Sequence, residues 1–431
     1  MSAELVGGIG ITIMVVLIFF RVWIGGAMIL IGFLGFAYLA GWKDALIIAG
    51  RVPLSTIAWY PVTAIPLFIL MGAVLSHTGV SADLYEAAYK WIGKMRGGLA
   101  MATVAASAAF AAICGSSTAT CATMGKVGFP EMEKYNYDIK LATGTIAAGG
   151  TMGILIPPSM GFILYGILNQ VSIGKLFMAG IIPGILEAVF YMVTIWIMCK
   201  WKPSMGPPGQ GATFKEKIVS LRKTWAMVAL FLLVMGGIYM GVFTPTEAGA
   251  AGAFGAIVIT LVGRKLSWTA FSGSIVESAQ TTAMIMFMIV GAYILLRFLT
   301  ITDMPGALGQ FLSSLPVSRM WILAGIILLY IFLGCFLDIF AAIILTSPVI
   351  FPAIQALGFD SIWFGVIMVR IMEIGMITPP IGLNVFVLAA VTDVPVGTIF
   401  RGIIPFVVAD VLHVALLVAV PALSLFIPET M

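Results

Sequence analysis

Two proline pairs set inside long apolar runs constrain this chain more than any other feature. Residues 153–161 read GILIPPSMG and residues 375–383 read GMITPPIGL, so the second pair follows the first after 379 − 157 = 222 residues. A proline inside a helix lacks its N–H and clashes with the carbonyl four residues back, so Pro157 frees the carbonyl of Gly153 and Pro379 that of Gly375. In lipid such carbonyls need a partner. Irregular backbone at membrane depth survives only where it is buried in protein or lines a cavity, and paired broken helices in two halves point to a transporter's binding site.

The sequence around these breaks is 61% hydrophobic and 9% charged over 431 residues, which specifies an all-α polytopic membrane protein surrounded by lipid. The net charge of +4 is small and its basic residues are distributed among loops, so they read as topology signals, with no nucleic-acid partner expected. Cys114, Cys121, Cys199 and Cys335 form no CxxC pair and read as small core residues. The N-terminus lacks the basic region and cleavage site of a signal peptide, so the apolar run 5–20 is expected to remain as the first membrane helix. His77 and His413 stand in no metal-ligand spacing and no Walker-type lysine is present, which argues against an enzyme, a metal site and ATP hydrolysis.

Runs of about 20 apolar residues place membrane spans near 5–20, 22–41, 57–77, 137–168 and 176–199, and again near 224–242, 245–263, 275–299, 360–391 and 402–427. Between the third and fourth span of each half lies a stretch with a small, polar middle, 98–126 and 320–350, that suits a re-entrant hairpin. The same offset of 222 relates Phe129-Pro130 to Phe351-Pro352 and Gly180-Ile-Ile-Pro to Gly402-Ile-Ile-Pro. The expected organisation is therefore a first repeat over 1–199, a cytoplasmic linker over 200–223 and a second repeat over 224–431. An odd number of crossings per repeat inverts the second copy.

Placing the mouth of the first hairpin in the cytoplasm puts most of the lysines and arginines on that side and leaves Lys43, Arg51, Lys175 and Arg319 opposite, so both termini are expected outside. Residues 81–96 read as an amphipathic surface helix capped by Ser81, with a counterpart near 304–315 on the outer face.

The first hairpin's turn, residues 114–120, offers hydroxyls and small residues, including Ser116 and Ser117; the offset pairs Ser116 with Asp338 in the second turn. Two facing tips closing over one midplane site is the functional reading. Arg297 interrupts an apolar span, where an arginine is costly without a partner such as Asp338 or an anionic substrate. Arg370 and Glu373 lie one turn apart and read as a self-neutralising structural pair, while Glu187, Glu277 and Asp410 are buried or interfacial acids without an assigned role. Each break beside a hairpin turn supplies carbonyls and a hydroxyl, Thr378 in the second, which are the hard ligands of an alkali cation. The first break has no titratable group of its own, which favours sodium over protons as the coupling ion.

The motifs GSSTATCATMG, GTMGILIPPSMGFILYG, TPTEAGA and EIGMITPPIGLNVFV together resemble the large membrane subunit of TRAP transporters, the tripartite ATP-independent periplasmic family, over nearly the whole chain. The resemblance implies an elevator-type, sodium-coupled importer of organic acids such as C4-dicarboxylates or sialic acid. It also implies an inner-membrane location, a periplasmic binding protein that delivers the substrate and a small four-helix membrane subunit. Position by position it places sodium at Ala112, Gly115, Gly153, Ile156 and Pro157, and again at Gly334, Gly375, Thr378 and Ile381. It places the substrate at Ser116, Ser117, Ser159, Arg297 and Asp338. Residues 21–26, RVWIGG, depart from the family's pattern, where a turn richer in proline is expected. Two alternatives remain open at this point: a self-sufficient sodium/dicarboxylate symporter of the same plan, and an intramembrane hydrolase using Ser116 or Ser117.

Overall fold

The computed structural model describes residues 2–431, apart from the side chain of Ser313, and contains no β-strand among them. The first half runs through α1 (Ala3–Phe19), α2 (Ile24–Ala40), α3 (Trp42–Ile57), α4 (Ala64–His77), α5 (Val80–Ile92), α6 (Gly98–Cys114), α7 (Ser117–Lys134), α8 (Ile139–Leu155), α9 (Met160–Asn169) and α10 (Ile173–Trp201). The second runs through α11 (Phe214–Tyr239), α12 (Pro245–Val262), α13 (Trp268–Ile301), α14 (Met304–Ser314), α15 (Arg319–Gly334), α16 (Ile339–Ala356), α17 (Ser361–Ile377), α18 (Leu383–Thr392), α19 (Val396–Ala419) and α20 (Ala422–Leu425). Eight helical spans among the described residues are long and apolar enough to cross a membrane, and α1 and α2, at 17 residues each, fall just short of that length.

Both apolar runs containing Pro-Pro are interrupted, α8 from α9 and α17 from α18, and both Pro–Pro peptides are cis. Every residue of α8 from Leu141 to Leu155 and of α17 from Trp363 to Ile377 is buried, so these two helices form the innermost layer. The hairpins α6–α7 and α15–α16 pack on them, with α10 and α19 behind. Outside lies a second group, α1–α5 with α11–α14, in which α2 packs on α13 and α4 on α12. Its outer faces carry exposed apolar side chains such as Leu34, Leu232 and Phe254, as a lipid-facing surface requires.

Four expectations are corrected here. The chain forms an additional helix, α3, with Ala45, Val52 and Thr56 buried and most of its other side chains exposed, and a 3₁₀ turn at Tyr60–Thr63 delays α4. Pro61, in the first turn of the 3₁₀ segment, marks this boundary, whereas Pro53 is accommodated inside α3. Ser81 does not cap α5: Gly79, at φ 69°, precedes the helix and Ser81 is buried. The segment 200–223 is only partly a loop, since a capping box between Thr213 and Glu216 starts α11 at Phe214. Finally, the last long helix ends at Ala419, ahead of Pro421, where the hydropathy had carried it to 427.

At the surface, α5 is tied to the second half by Asp83 with Lys265 and by Glu86, which is 2.7 Å from both Lys90 and Lys223. Hydrogen bonds from Lys223 and Lys90 hold the Glu86 carboxyl below its usual range.

The α2–α13 contact depends on missing side chains: a Cβ on Gly291 would lie 2.7 Å from the Gly25 carbonyl oxygen, and one on Gly32 2.7 Å from the Leu295 nitrogen. Gly291→Val is expected to separate the two helices at a cost of roughly 1–3 kcal/mol, seen as a lowered melting temperature of the purified protein. Gly8→Ala, which has open space around it, is expected to melt with the parent.

Candidate cation and substrate site

The first hairpin tip is built by two conformational choices. Gly115, at φ 64°, ends α6 in the left-handed region, and Ser116 in extended conformation caps α7 by accepting the Ala119 N–H. This compact turn lies directly on the break in α8. A Cβ on Gly153 would stand 2.6 Å from the Ser116 carbonyl oxygen and 2.8 Å from the Ser117 nitrogen, and one on Gly115 would stand 3.1 Å from the Pro158 carbonyl oxygen. The second tip repeats the arrangement: a Cβ on Gly375 would lie 2.9 Å from the Cys335 nitrogen, and one on Gly334 2.8 Å from the Met372 carbonyl oxygen. Each half thus brings a hairpin tip and a proline break into backbone contact through glycines, with peptide oxygens rather than side chains at the contact.

The expected cation residues therefore fall into two clusters, Gly115, Gly153 and Pro157 in one and Gly334, Gly375 and Thr378 in the other. Ala112 stands one turn before the first tip, and the Ile156 side chain packs against Gly184. Two details differ from expectation. The Gly375 carbonyl is not fully released, because the Thr378 N–H reaches it at 3.1 Å, leaving one lone pair. The breaks are also unequally covered: Pro157 and Pro158 are buried, whereas Pro379, Pro380 and Ile381 are exposed. Thr378 donates its hydroxyl hydrogen to the Ile374 carbonyl at 2.6 Å, so its oxygen retains lone pairs for a cation.

Between the tips and the outer helices lies a cavity of about 90 Å³ whose wall includes Gly72, Ser76, Ser116, Glu277 and Phe340. Ser116 belongs to the first tip and Phe340 to the start of α16 beside the second. The volume is below the roughly 300–1,000 Å³ of a typical ligand pocket.

A family profile described as "Tripartite ATP-independent periplasmic transporter, DctM component" matches residues 11–423. The chain belongs to that family. It is 37% identical over 371 residues to the "C4-dicarboxylate TRAP transporter large permease protein DctM" of Pseudomonas aeruginosa, covering 86% of each chain. It is 31% identical over 382 residues to the "Sialic acid TRAP transporter large permease protein SiaM" of Vibrio cholerae, covering 88% of this chain and 89% of the relative. Among solved structures, the Alcanivorax borkumensis YdaH transporter superposes with a TM-score of 0.63 at 14% identity over 88% of each chain, a likeness of fold alone. The family is one of transporter permeases, and the hydrolase alternative falls with that assignment.

Several of the expected substrate residues have local structural partners. Ser159, fully buried, caps α9 by accepting the Phe162 N–H, and Asp338 caps α16 by accepting from Phe340 and Ala341 at 2.9 and 3.1 Å. With Ser116 these are helix starts, each cap contributing about 1 kcal/mol. Arg297 is exposed and lines a separate surface cavity with Ser55, Thr56, Trp59 and Gln170; no ion pair joins it to Asp338 among the described residues. Glu277 accepts a role beside the tips, at 2.7 Å from His77.

Sequence reasoning missed the polar network behind the first break. Arg370 does not simply neutralise Glu373, which stays at 3.7 Å; its guanidinium turns to Glu187 at 3.1 Å and to Asp410. Glu373 reaches across instead, its Oε1 accepting from the Ser117 hydroxyl and the Ile154 N–H, each at 3.2 Å. The first break therefore does have a carboxyl beside it, supplied by the other half. The signal was available: an acid follows the shared Gly-Ile-Ile-Pro motif by about one turn in both halves, Glu187 after Pro183 and Asp410 after Pro405.

Gly153→Ala is expected to push the first tip off the break and to lower uptake at least about tenfold, since small displacements at a binding site are costly. The chain still inserts and folds. Gly26→Ala, with nothing within 4 Å, is expected to leave uptake unchanged in the same vesicle assay.

Proposed function

We propose that this large permease imports an organic acid across a bacterial inner membrane by symport with sodium. It takes the substrate from a periplasmic binding protein and works beside a small four-helix membrane subunit, with both termini on the outer side. The observation that carries the reading is the repeated contact of a hairpin tip with a proline break, Gly153 on Ser116 and Gly375 on Gly334, which leaves two sets of backbone oxygens at the centre of the fold. Hard oxygen ligands of this kind suit an alkali cation, and sodium enters here as a transported co-substrate. The names of the relatives, a C4-dicarboxylate permease and a sialic acid permease, share a carboxylate, which makes an organic acid the substrate class.

Reciprocal packing supports two inverted repeats. The pairs α2–α13 and α12–α4 exchange roles between halves, as do α5–α11 with α14–α1, α7–α18 with α16–α9, and α8–α19 with α17–α10. A two-fold axis relating the halves produces such swapped pairs. The division into an inner group holding both tips and an outer group facing lipid favours an elevator, in which the inner group slides against the outer one. The closeness of Glu373 to the first break removes the sequence-level argument against protons, so proton coupling is the second reading.

The test is uptake of labelled succinate and labelled sialic acid into vesicles holding this chain with the small subunit, with and without binding protein, under sodium, potassium or pH gradients. Uptake that needs both sodium and the binding protein is the expected result. Sodium-driven uptake indifferent to the binding protein supports the stand-alone symporter, and uptake driven by a pH gradient without sodium supports protons.

A further inference from the structure

The polar core behind the first break holds more negative charge than positive. Arg370 on α17 is its one guanidinium, and it faces Glu187 on α10, Glu373 one turn along its own helix and Asp410 on α19, all fully buried. His413 adds no charge, because its Nδ1 accepts the Arg370 Nε–H at 3.0 Å and an accepting ring nitrogen belongs to neutral imidazole. The other basic residues of the helices packed on this core, Lys126, Lys134, Lys140, Lys175, Lys200, Arg319 and Arg401, are all exposed. With all three carboxyls ionised, the one guanidinium leaves an excess of two negative charges.

Three carboxylate oxygens of the cluster, Glu187 Oε2, Glu373 Oε2 and Asp410 Oδ2, are buried and accept no hydrogen bond. Buried charge without a partner is too costly to stand alone: such a carboxyl either holds a proton or is offset by a counter-ion. The cluster is connected to both breaks. Thr151, on α8 one turn before them, joins Glu187 at 3.0 Å and accepts the Ser117 hydroxyl on its carbonyl at 3.3 Å. Glu373 touches Ile154 beside Gly153 and precedes Gly375 on its own helix. The backbone oxygens at the two breaks bring partial charge only, so a cation there draws full negative charge from nearby carboxyls: this cluster, and Asp338 at the start of α16 beside the second tip.

We propose that the Glu187–Glu373–Asp410–Arg370 cluster is counter-charge for the two coupling cations: ionised, its excess of two negative charges matches two monovalent ions held at the breaks. The proposal rests on the sodium reading above. It gives Glu187 and Asp410, which touch neither break, a role at a distance: they set sodium affinity through charge, as positioning residues set geometry.

The charge itself is the testable property. Melting temperature and sodium-dependent fluorescence of the purified full-length protein are measured in choline chloride, potassium chloride and sodium chloride for the parent, Glu187→Gln, Asp410→Asn and the charge-preserving Glu187→Asp. Neutralising one carboxyl relieves unpaired charge in the empty protein and weakens the pull on the cation. The expected result is therefore a melting temperature in choline at or above the parent's, together with a sodium half-saturation concentration raised about tenfold or more, and recovery of sodium affinity in Glu187→Asp. A purely structural role gives the opposite pattern, failure to fold or lowered melting in choline with half-saturation unchanged, and that overturns the proposal. Sodium that stabilises the parent no more than potassium does overturns the sodium reading itself, and the counter-charge with it.

Discussion

The architecture depends on the close approach of two pieces of backbone that carry no side chain between them. Where Gly153 meets Ser116 and where Gly375 meets Gly334, a single methyl group would collide with main-chain atoms. The rest of the inner group serves that approach. Proline ends α8 and α17 at the right depth, Gly115 turns the first tip, and Ser116 and Asp338 cap the outgoing arms so that each tip is tight enough to fit. Full burial of α8 and α17 supplies the protein surroundings that broken backbone at membrane depth requires.

Electrostatics reinforces this geometry from behind. The Arg370 network joins α17 to α10 and α19, while Glu373 reaches to α7 and α8, so the second half's broken helix steadies the first half's tip. The halves differ in how well their breaks are covered, the first sealed and the second exposed around Pro379 and Ile381. A small cavity between tips and outer helices, too small for an organic acid as it stands, lies where inner and outer groups meet.

Much of this was legible in the chain because membrane depth leaves backbone polar groups few options. The two proline pairs, the hairpin stretches and the constant offset located both tips and both breaks, and the structure brings them together. Side-chain roles were less legible. Ser159 and Asp338 also cap helices, which the linear reading left out, because a hydroxyl or carboxylate at a helix start accepts from the free N–H groups two and three residues on. Arg297 looks buried by its apolar neighbours in sequence, yet helical periodicity turns it outward. Glu187 and Asp410 were visible as acids, but their meeting on Arg370 depends on how three helices pack, which no local pattern encodes. The boundary between α3 and α4 falls at Pro61, a proline outside the paired motif.

The most direct test of the central claim, that the two tip-and-break contacts each hold one cation, is a count of radioactive sodium bound at equilibrium by the purified chain. Two ions per chain in the parent and one in each of Gly153→Ala and Gly375→Ala is the predicted outcome. A parent that binds no sodium above the potassium background, or glycine variants that bind as many ions as the parent, would contradict it.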